Sequence, residues 1–457
     1  MKKHIVLSAI AIVTLGSVNV QAAEDLSSMF KNGKSSGQIR QFTINRAVEY
    51  SSSAKTDYTR SASAIGGHLK FVTDDYKGLS LGTAFYTTNG FATPDENIDP
   101  TLGGLTNQSR SILGEAFIKY EMGKTVFIGG RQKINNPGIG ADDFRMLPNF
   151  VETYSLTNKN LSDITLAIDH SVKFAQSPFG GAYDTAGSAS GAQLGASGGY
   201  SAVDSRGQVG DFVNMGTYAV GKSTDGITSI SAKYTGVKGL KVQVWDFYAH
   251  DIMNTIYAEA TYKVKMDSFT AFVGAQFIKQ NNVGGSYLKN TTISTNGELD
   301  SVFYGVKAGV SIENFTLLTA YTSTTENSDS DLANEGSATK SIITMWGAYP
   351  SYTGGMTSRH STLAGTKASK IAAVYNFKAV GPDLKAVLYY LNFDMQKNNG
   401  YTSDNSTEAG FDFIYNTGFV ENLQLRFRGN YARDFNVDSA GENVGWDEYR
   451  FIANYNF

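Results

Sequence analysis

Period-two alternation of apolar and polar residues recurs along most of this chain, and few folds can satisfy it. In the closing stretch EYRFIANYNF, Tyr449, Phe451, Ala453, Tyr455 and Phe457 fall on one face of an extended strand, while Glu448, Arg450, Asn454 and Asn456 fall on the other, because successive strand side chains point to opposite sides. SVFYGVKAGVSI repeats the pattern, with Val302, Tyr304, Val306, Ala308, Val310 and Ile312 on one side and small residues plus Lys307 on the other. A soluble sandwich would cover its apolar face with a core of Leu, Ile and Val. Here many mid-strand apolar positions are Ala or Gly and the ends are Tyr or Phe, which suits a lipid-facing band between aromatic girdles.

The N-terminus supplies the compartment. Lys2 and Lys3 precede the apolar run IVLSAIAIVTLG and then VQA, ending at Ala22, the charged, apolar and small-residue order of a cleaved secretory signal peptide. Residues 1–22 are therefore set apart and residues 23–457 are expected to form one domain. The apolar run is too short to span a bilayer and nothing later approaches the ~20 residues a membrane helix needs, so any span is β. The chain has no Cys and a net charge of -3, which gives no electrostatic bias toward nucleic acid and agrees with export.

Tilted spanning strands take ~10 residues each and alternate short turns with long loops, so the ~435 mature residues accommodate ~16 to 18 strands around an aqueous lumen. YKGLS (76–80) and VKGL (237–240) fit short periplasmic turns, and 177–201, 323–341 and 435–446 fit long external loops. The fold expected is an all-β transmembrane antiparallel barrel in the outer membrane of a Gram-negative bacterium.

One stretch breaks the rhythm. GGRQKINNPGIGADDFRMLPNF, 129–150, carries two prolines, adjacent aspartates and three basic side chains between strands. A polar, proline-stiffened loop of this kind suits inward folding that narrows a wide lumen. Val126 and Ile128 are read as facing lipid, which puts Arg131 and Lys133 on the polar side, with Asp142, Asp143 and Arg145 following in the loop. Opposite charges at a narrowing both hold the loop and read a solute.

The run QKINNP followed by DFRMLPNF resembles the constriction-loop signature of the OprD-type outer-membrane porins, and LQLRFRGNYARDF with DEYRFIANYNF is similar to that family's closing hairpin. Campylobacter-type major porins are a neighbouring resemblance in barrel plan. The OprD resemblance implies about 18 strands, an inward third loop, and a ladder of lumen-facing basic residues that guides anionic groups past acidic loop residues. The alternation supports such a ladder by itself: with Leu425 and Phe427 facing lipid, Arg426 and Arg428 face the lumen, as does Arg450 on the next strand, and Lys70, Lys119, Lys233, Lys241 and Lys307 fall on polar faces elsewhere.

An enzyme is not expected. DHS (169–171) and RHS (359–361) put His beside Ser, but adjacent strand residues face opposite ways and cannot serve as nucleophile and base. No zinc spacing occurs, and NSDSDL (327–332) lacks a full calcium ligand pattern, so no catalytic residue, metal or cofactor is assigned. The function expected is passive uptake of small hydrophilic solutes that carry carboxylates, such as amino acids, small organic acids or short peptides. A general diffusion porin and a structural or adhesive barrel are the alternatives. Partners expected are solutes and ions, outer-membrane lipid, and the barrel-insertion machinery through Phe457, with a homotrimer left open.

Overall fold

A computed structural model of the chain describes residues 23–51, 57–91, 109–143, 145–176, 212–289, 294, 296–329, 331, 340–347, 349–396, 405–437 and 442–457. After a short helix, Leu26–Lys31, the strands are β1 (Lys34–Tyr50), β2 (Tyr58–Val72), β3 (Leu79–Gly90), β4 (Arg110–Met122), β5 (Thr125–Gln132), β6 (Phe150–Asn158) and β7 (Ile164–Ala175). They continue with β8 (Val213–Asn214), β9 (Ile227–Tyr234), β10 (Leu240–Ala249), β11 (Met253–Lys265), β12 (Thr270–Asn282), β13 (Asp300–Ile312) and β14 (Phe315–Thr324). The wall finishes with β15 (Lys367–Asn376), β16 (Leu384–Asp394), β17 (Asn405–Asn416), β18 (Leu423–Val437) and β19 (Asn443–Asn456). All belong to one 19-stranded sheet. The two-residue β8 only flanks β7, which pairs onward with β9, so eighteen strands go round.

The sheet closes antiparallel through β1 and β19, from Gln38 opposite Asn456 to Tyr50 opposite Val444. Gly37 and Phe457 exchange both backbone hydrogen bonds, at 2.8 and 3.0 Å, and a Cβ at position 37 would meet the Phe457 ring at 2.5 Å. Closure leaves no unpaired edge, which a strand in lipid cannot tolerate. Deleting Phe457 is therefore expected to cut the heat-modifiable, folded fraction in the outer membrane several-fold, and an unchanged folded fraction would show that closure does not depend on it.

Short turns and long connections alternate. At the first short turn Tyr76 and Leu79 exchange backbone bonds across Lys77 and Gly78, whose φ values are 55 and 87°; positive φ at both central positions is what a tight two-residue hairpin requires. VKGL closes the turn between β9 and β10 through the Leu240 N–H to the Val237 carbonyl. Of the expected external loops, 177–201 lies outside the described residues. In the stretch 435–446, β18 runs to Val437 and β19 begins at Asn443, with 438–441 outside the described residues; Val444 and Trp446 pair with β1. Ser323 and Thr324 likewise end β14.

The outer face is apolar through the middle of the wall: Ile39, Leu69, Val244, Val273, Val306, Leu388 and Phe427 are all exposed. The inner face is not uniformly wet. Phe42, Ile44, Ala62, Ala64, Ala84, Tyr86 and Ile112 on β1–β4 form a buried cluster with Met146, Leu147 and Phe150. A second cluster joins Trp245, Phe247, Tyr257, Ile278 and Phe303 of the wall to Ile139, Ile342, Ile343, Met345 and Trp346. Strand alternation alone cannot reveal such patches, since an inward apolar residue becomes favourable only when another segment covers it.

Candidate functional site

The segment 133–149 is fixed to the wall by apolar burial and by ion pairs. Met146 and Leu147 pack among the β1–β4 side chains, and Gly114 of β4 leaves room for the Phe150 ring, which a Cβ there would strike. Arg40 of β1 donates through Nη1 to Asp143 Oδ1 at 2.6 Å and to the Arg145 carbonyl at 2.7 Å, and through Nε to Asn454 at 2.9 Å. Lys133 Nζ stands 3.6 Å from Asp143 Oδ2. Burial pushes the Asp143 carboxyl up, but Arg40 and Lys133 outweigh it and hold the group below the ordinary carboxylate range. That anchor is complete above the ordinary range and is lost as pH falls through the depressed value.

Above this anchor the inner wall carries an arginine cluster arranged by register. Arg428 of β18 lies directly opposite Arg450 of β19, and Asp412 of β17 lies opposite Arg428 on its other side. Arg426 clasps Asp412 with Nε, at 2.8 Å, and Nη2. Arg428 has only Asp412 at 3.8 Å, and its Nε and the Nδ2 of Asn430 two residues on make no hydrogen bond among the described residues. The adjacent Glu448 is fully buried and is shared by three cations: Arg46 Nε reaches Oε2 at 2.9 Å, Arg450 Nε reaches Oε1 at 2.5 Å, and Arg145 Nη2 stands 4.0 Å from Oε1. Arg46 also lies 4.1 Å over the Trp446 ring. Burial and the nearby Arg450 push the Arg145 guanidinium well below its ordinary value, against the pull of Glu448.

A second segment, 341–366, meets the first. Gln280 of β12 fixes it in both directions, donating to the Ile343 carbonyl at 3.0 Å and accepting from the Ile343 N–H at 2.7 Å. The Glu408 carboxylate of β17 accepts the backbone N–H groups of Met356 at 2.7 Å and Ser358 at 2.6 Å. Tyr352 donates to Glu259 Oε1 at 2.8 Å, with Lys307 Nζ 3.8 Å from the Tyr352 ring centroid. The two segments cross where the Gly140 N–H bonds the Trp346 carbonyl at 2.9 Å. At that point Gly347 has φ 116°, and a Cβ on it would sit 2.6 Å from Gly140 Cα.

Of the residues picked from sequence, Asp143 pairs with Lys133 and with Arg40 of β1, Arg145 stands 4.0 Å from Glu448 of β19, and Arg426, Arg428 and Arg450 lie on neighbouring positions of β18 and β19. Asp142, at φ 46°, accepts from Asn149 Nδ2 at 3.3 Å; burial lowers Arg359 of the second segment, and Asp142 opposes that shift. Arg131 is a correction. The exposed residue of β5 is Phe127, paired with exposed Tyr120 and Leu156, so Val126 and Ile128 do not face lipid. Arg131 thereby shares the outer face, opposite Glu152 and 4.2 Å over the Phe212 ring.

Arg40, Arg46, Asp412, Glu408 and Glu448 were not among the sequence candidates. In QIRQFTINR the arginines alternate in phase with Phe42 and Ile44, so the apolar residues disguised an inward face as an outward one. The paired DHS residues part as strand geometry requires: His170 Nδ1 meets Thr228 Oγ1 at 3.1 Å, whereas Ser171 is buried and donates to Thr153 Oγ1 at 3.0 Å.

Comparisons with known proteins agree with this architecture. The sequence profile described as outer membrane porin, OprD family, matches residues 185–457. No curated protein matches the chain. Pseudomonas aeruginosa OccK9 (OpdG) superposes with a TM-score of 0.73 at 17% identity, covering 94% of this chain and 99% of that one. The outer membrane protein opdK of the same species gives a TM-score of 0.70 at 14% identity, with the same 94% and 99% coverage. A BenF-like porin from Pseudomonas fluorescens gives 0.68 at 14%, again covering 94% and 99%. With a profile match over more than half its length and a closed eighteen-stranded barrel behind it, the chain belongs to the OprD family of outer-membrane porins, channels for small solutes and not enzymes.

Proposed function

We propose that this porin passes small solutes bearing a carboxylate, and that Arg428 is the group that reads it. The observation that supports the reading is an imbalance among the three arginines: Arg426 and Arg450 are committed to Asp412 and Glu448, whereas Arg428 stands 3.8 Å from Asp412 and keeps part of its side chain exposed. An arginine fork suits a planar carboxylate, and Arg426 and Arg450 add like charge beside it. Binding at such a point in a water-filled path is weak enough to release, as conduction demands. The segments 133–149 and 341–366 form the narrowing that brings solutes to it, with Lys133, Asp142, Asp143 and Arg145 holding the first segment rather than meeting the solute one by one. Arg131 is left out of the path.

Arg428→Gln is expected to slow liposome swelling by small carboxylates about tenfold, the loss of one charge-assisted contact of ~1.5 kcal/mol, while uncharged sugars of similar size pass at the original rate. Arg426→Gln is a different experiment because it leaves Asp412 without its main partner; it is expected to shift ion preference toward cations. Equal slowing of sugars and carboxylates by Arg428→Gln would make the arginine a wall brace, and no slowing of either would leave a general diffusion pore.

A further inference from the structure

Two histidines meet on the outer side of the wall, where neither the narrowing nor the arginine patch uses them. His170 of β7 lies opposite Thr228 of β9, and Thr228 lies opposite Tyr248 of β10. These positions share a face with exposed Ile168 and Ile230. Two residues past Tyr248 the chain turns, and His250 is carried on that turn with its N–H bonded to the Gly226 carbonyl at 3.0 Å. Thr228 Oγ1 stands 3.1 Å from His170 Nδ1 and 3.1 Å from His250 Nε2. The two imidazole centroids are 6.2 Å apart with the rings at 82°, and the Tyr248 ring meets His250 edge-on at 5.0 Å. Both imidazoles are half-buried rather than enclosed.

We propose that His170 and His250 hold a divalent late transition-metal ion, Cu²⁺ above others, between β7 and the turn after β10. Imidazole nitrogen is the commonest protein ligand for such ions, and Nδ1 of one ring and Nε2 of the other are already within hydrogen-bond reach of a single atom. That atom is a hydroxyl with one hydrogen, which donates to one ring and accepts an N–H from the other. It thereby links two neutral imidazoles, the form that binds metal. An ion bound at ~2.0–2.1 Å to each nitrogen takes over this bridge after a swing of the His250 ring, which a turn allows more readily than a ladder position. Among the described residues no third His, Asp or Glu completes the group. Asp169 points to the opposite face, where its carboxylate accepts from Ser229, and Asp251 accepts the Gly285 N–H at 3.0 Å. Water and the Thr228 hydroxyl therefore fill the remaining positions, a nitrogen and oxygen set on which Cu²⁺ binds tightest of the divalent ions. The chain has no Cys to compete. Of the other described histidines, His68 stacks on Tyr86 of the inner face, and His360 is fully buried between Phe393 and Phe435.

The test is Cu²⁺ titration of the untagged, detergent-folded porin followed by electron paramagnetic resonance. The expected result is a bound Cu²⁺ with two imidazole nitrogens in its coordination plane. His170→Gln and His250→Gln are each expected to weaken that binding about 100-fold or more, since even groups that only orient a ligand are worth ~10- to 100-fold in metal affinity. Thr228→Val removes the competing hydroxyl and is expected to bind at least as tightly as half of the parent affinity or better, and His68→Gln is expected to match the parent. Bound Cu²⁺ is also expected to raise the melting temperature of the parent and of neither histidine variant, because the ion ties β7 to β10 in the folded barrel alone. A spectrum with one imidazole nitrogen or none, or parent-level binding by either histidine variant, would overturn the proposal. Loss of binding in His68→Gln would place the ion in the lumen and overturn it as well. Should the histidine variants fail to assemble, the parent carrying isotopically labelled histidine still counts the coordinating imidazoles, and a count other than two rejects the site.

Discussion

Glu448→Ala is expected to lower the barrel's unfolding free energy by about 3–5 kcal/mol, the usual cost of stripping one partner from a buried ion cluster. The carboxylate is fully buried and is the hub for Arg46 and Arg450, with Arg145 at its margin. Without it, the guanidiniums of Arg46, Arg145 and Arg450 lose the one acid they share. Trp446 also loses its acceptor, since its Nε1 donates to Glu448 Oε2 at 3.3 Å. The measurement is urea unfolding in bilayers or micelles followed by gel mobility. A second substitution decides the cause: Arg450→Gln in the Glu448→Ala background removes one stranded cation and should recover a good part of the loss, as coupled neighbours do. A loss below ~1 kcal/mol in the single variant would mean that water in the lumen already screens the cluster.

Gly347→Val is expected to raise single-channel conductance several-fold and to blunt discrimination between solutes. Position 347 adopts φ 116°, in a region L side chains rarely occupy, and its Cβ would press on the backbone of Gly140. Strain of about 1–3 kcal/mol from the dihedral adds to overpacking of about 1–3 kcal/mol. Backbone cannot rotate away as a side chain can, so relief comes by parting the two segments and breaking the Gly140 to Trp346 hydrogen bond. Gly354→Ala is the matched control, because a Cβ there meets only the Ser351 carbonyl at ordinary contact distance, 3.5 Å. Parent conductance in a folded Gly347→Val protein would show that this crossing does not set the width of the pore.

Strand alternation determined the class of this protein and the inner placement of Arg426, Arg428 and Arg450, because period two is a local property: once Phe427 faces lipid, its neighbours on the strand cannot. The short turns at 76–80 and 237–240 were legible for a similar reason, their glycines being demanded by two or three adjacent dihedrals. What the sequence could not settle was everything that depends on which remote segment covers a face. Arg40 and Arg46 alternate with Phe42 and Ile44, and only the arrival of Met146 and Leu147 makes that whole face an inner one. The same holds for Val126, Phe127 and Ile128, where three apolar residues in a row give no phase and cross-strand pairing with Tyr120 and Leu156 supplies it. Nor does any local pattern mark 341–366 as the partner of 133–149: their meeting rests on Gly140 and Gly347, 207 residues apart in sequence, touching where a side chain on either would hold them apart. Local sterics fix which way a side chain points, whereas the closing of distant chain segments on one another decides whether it meets lipid, solute or protein.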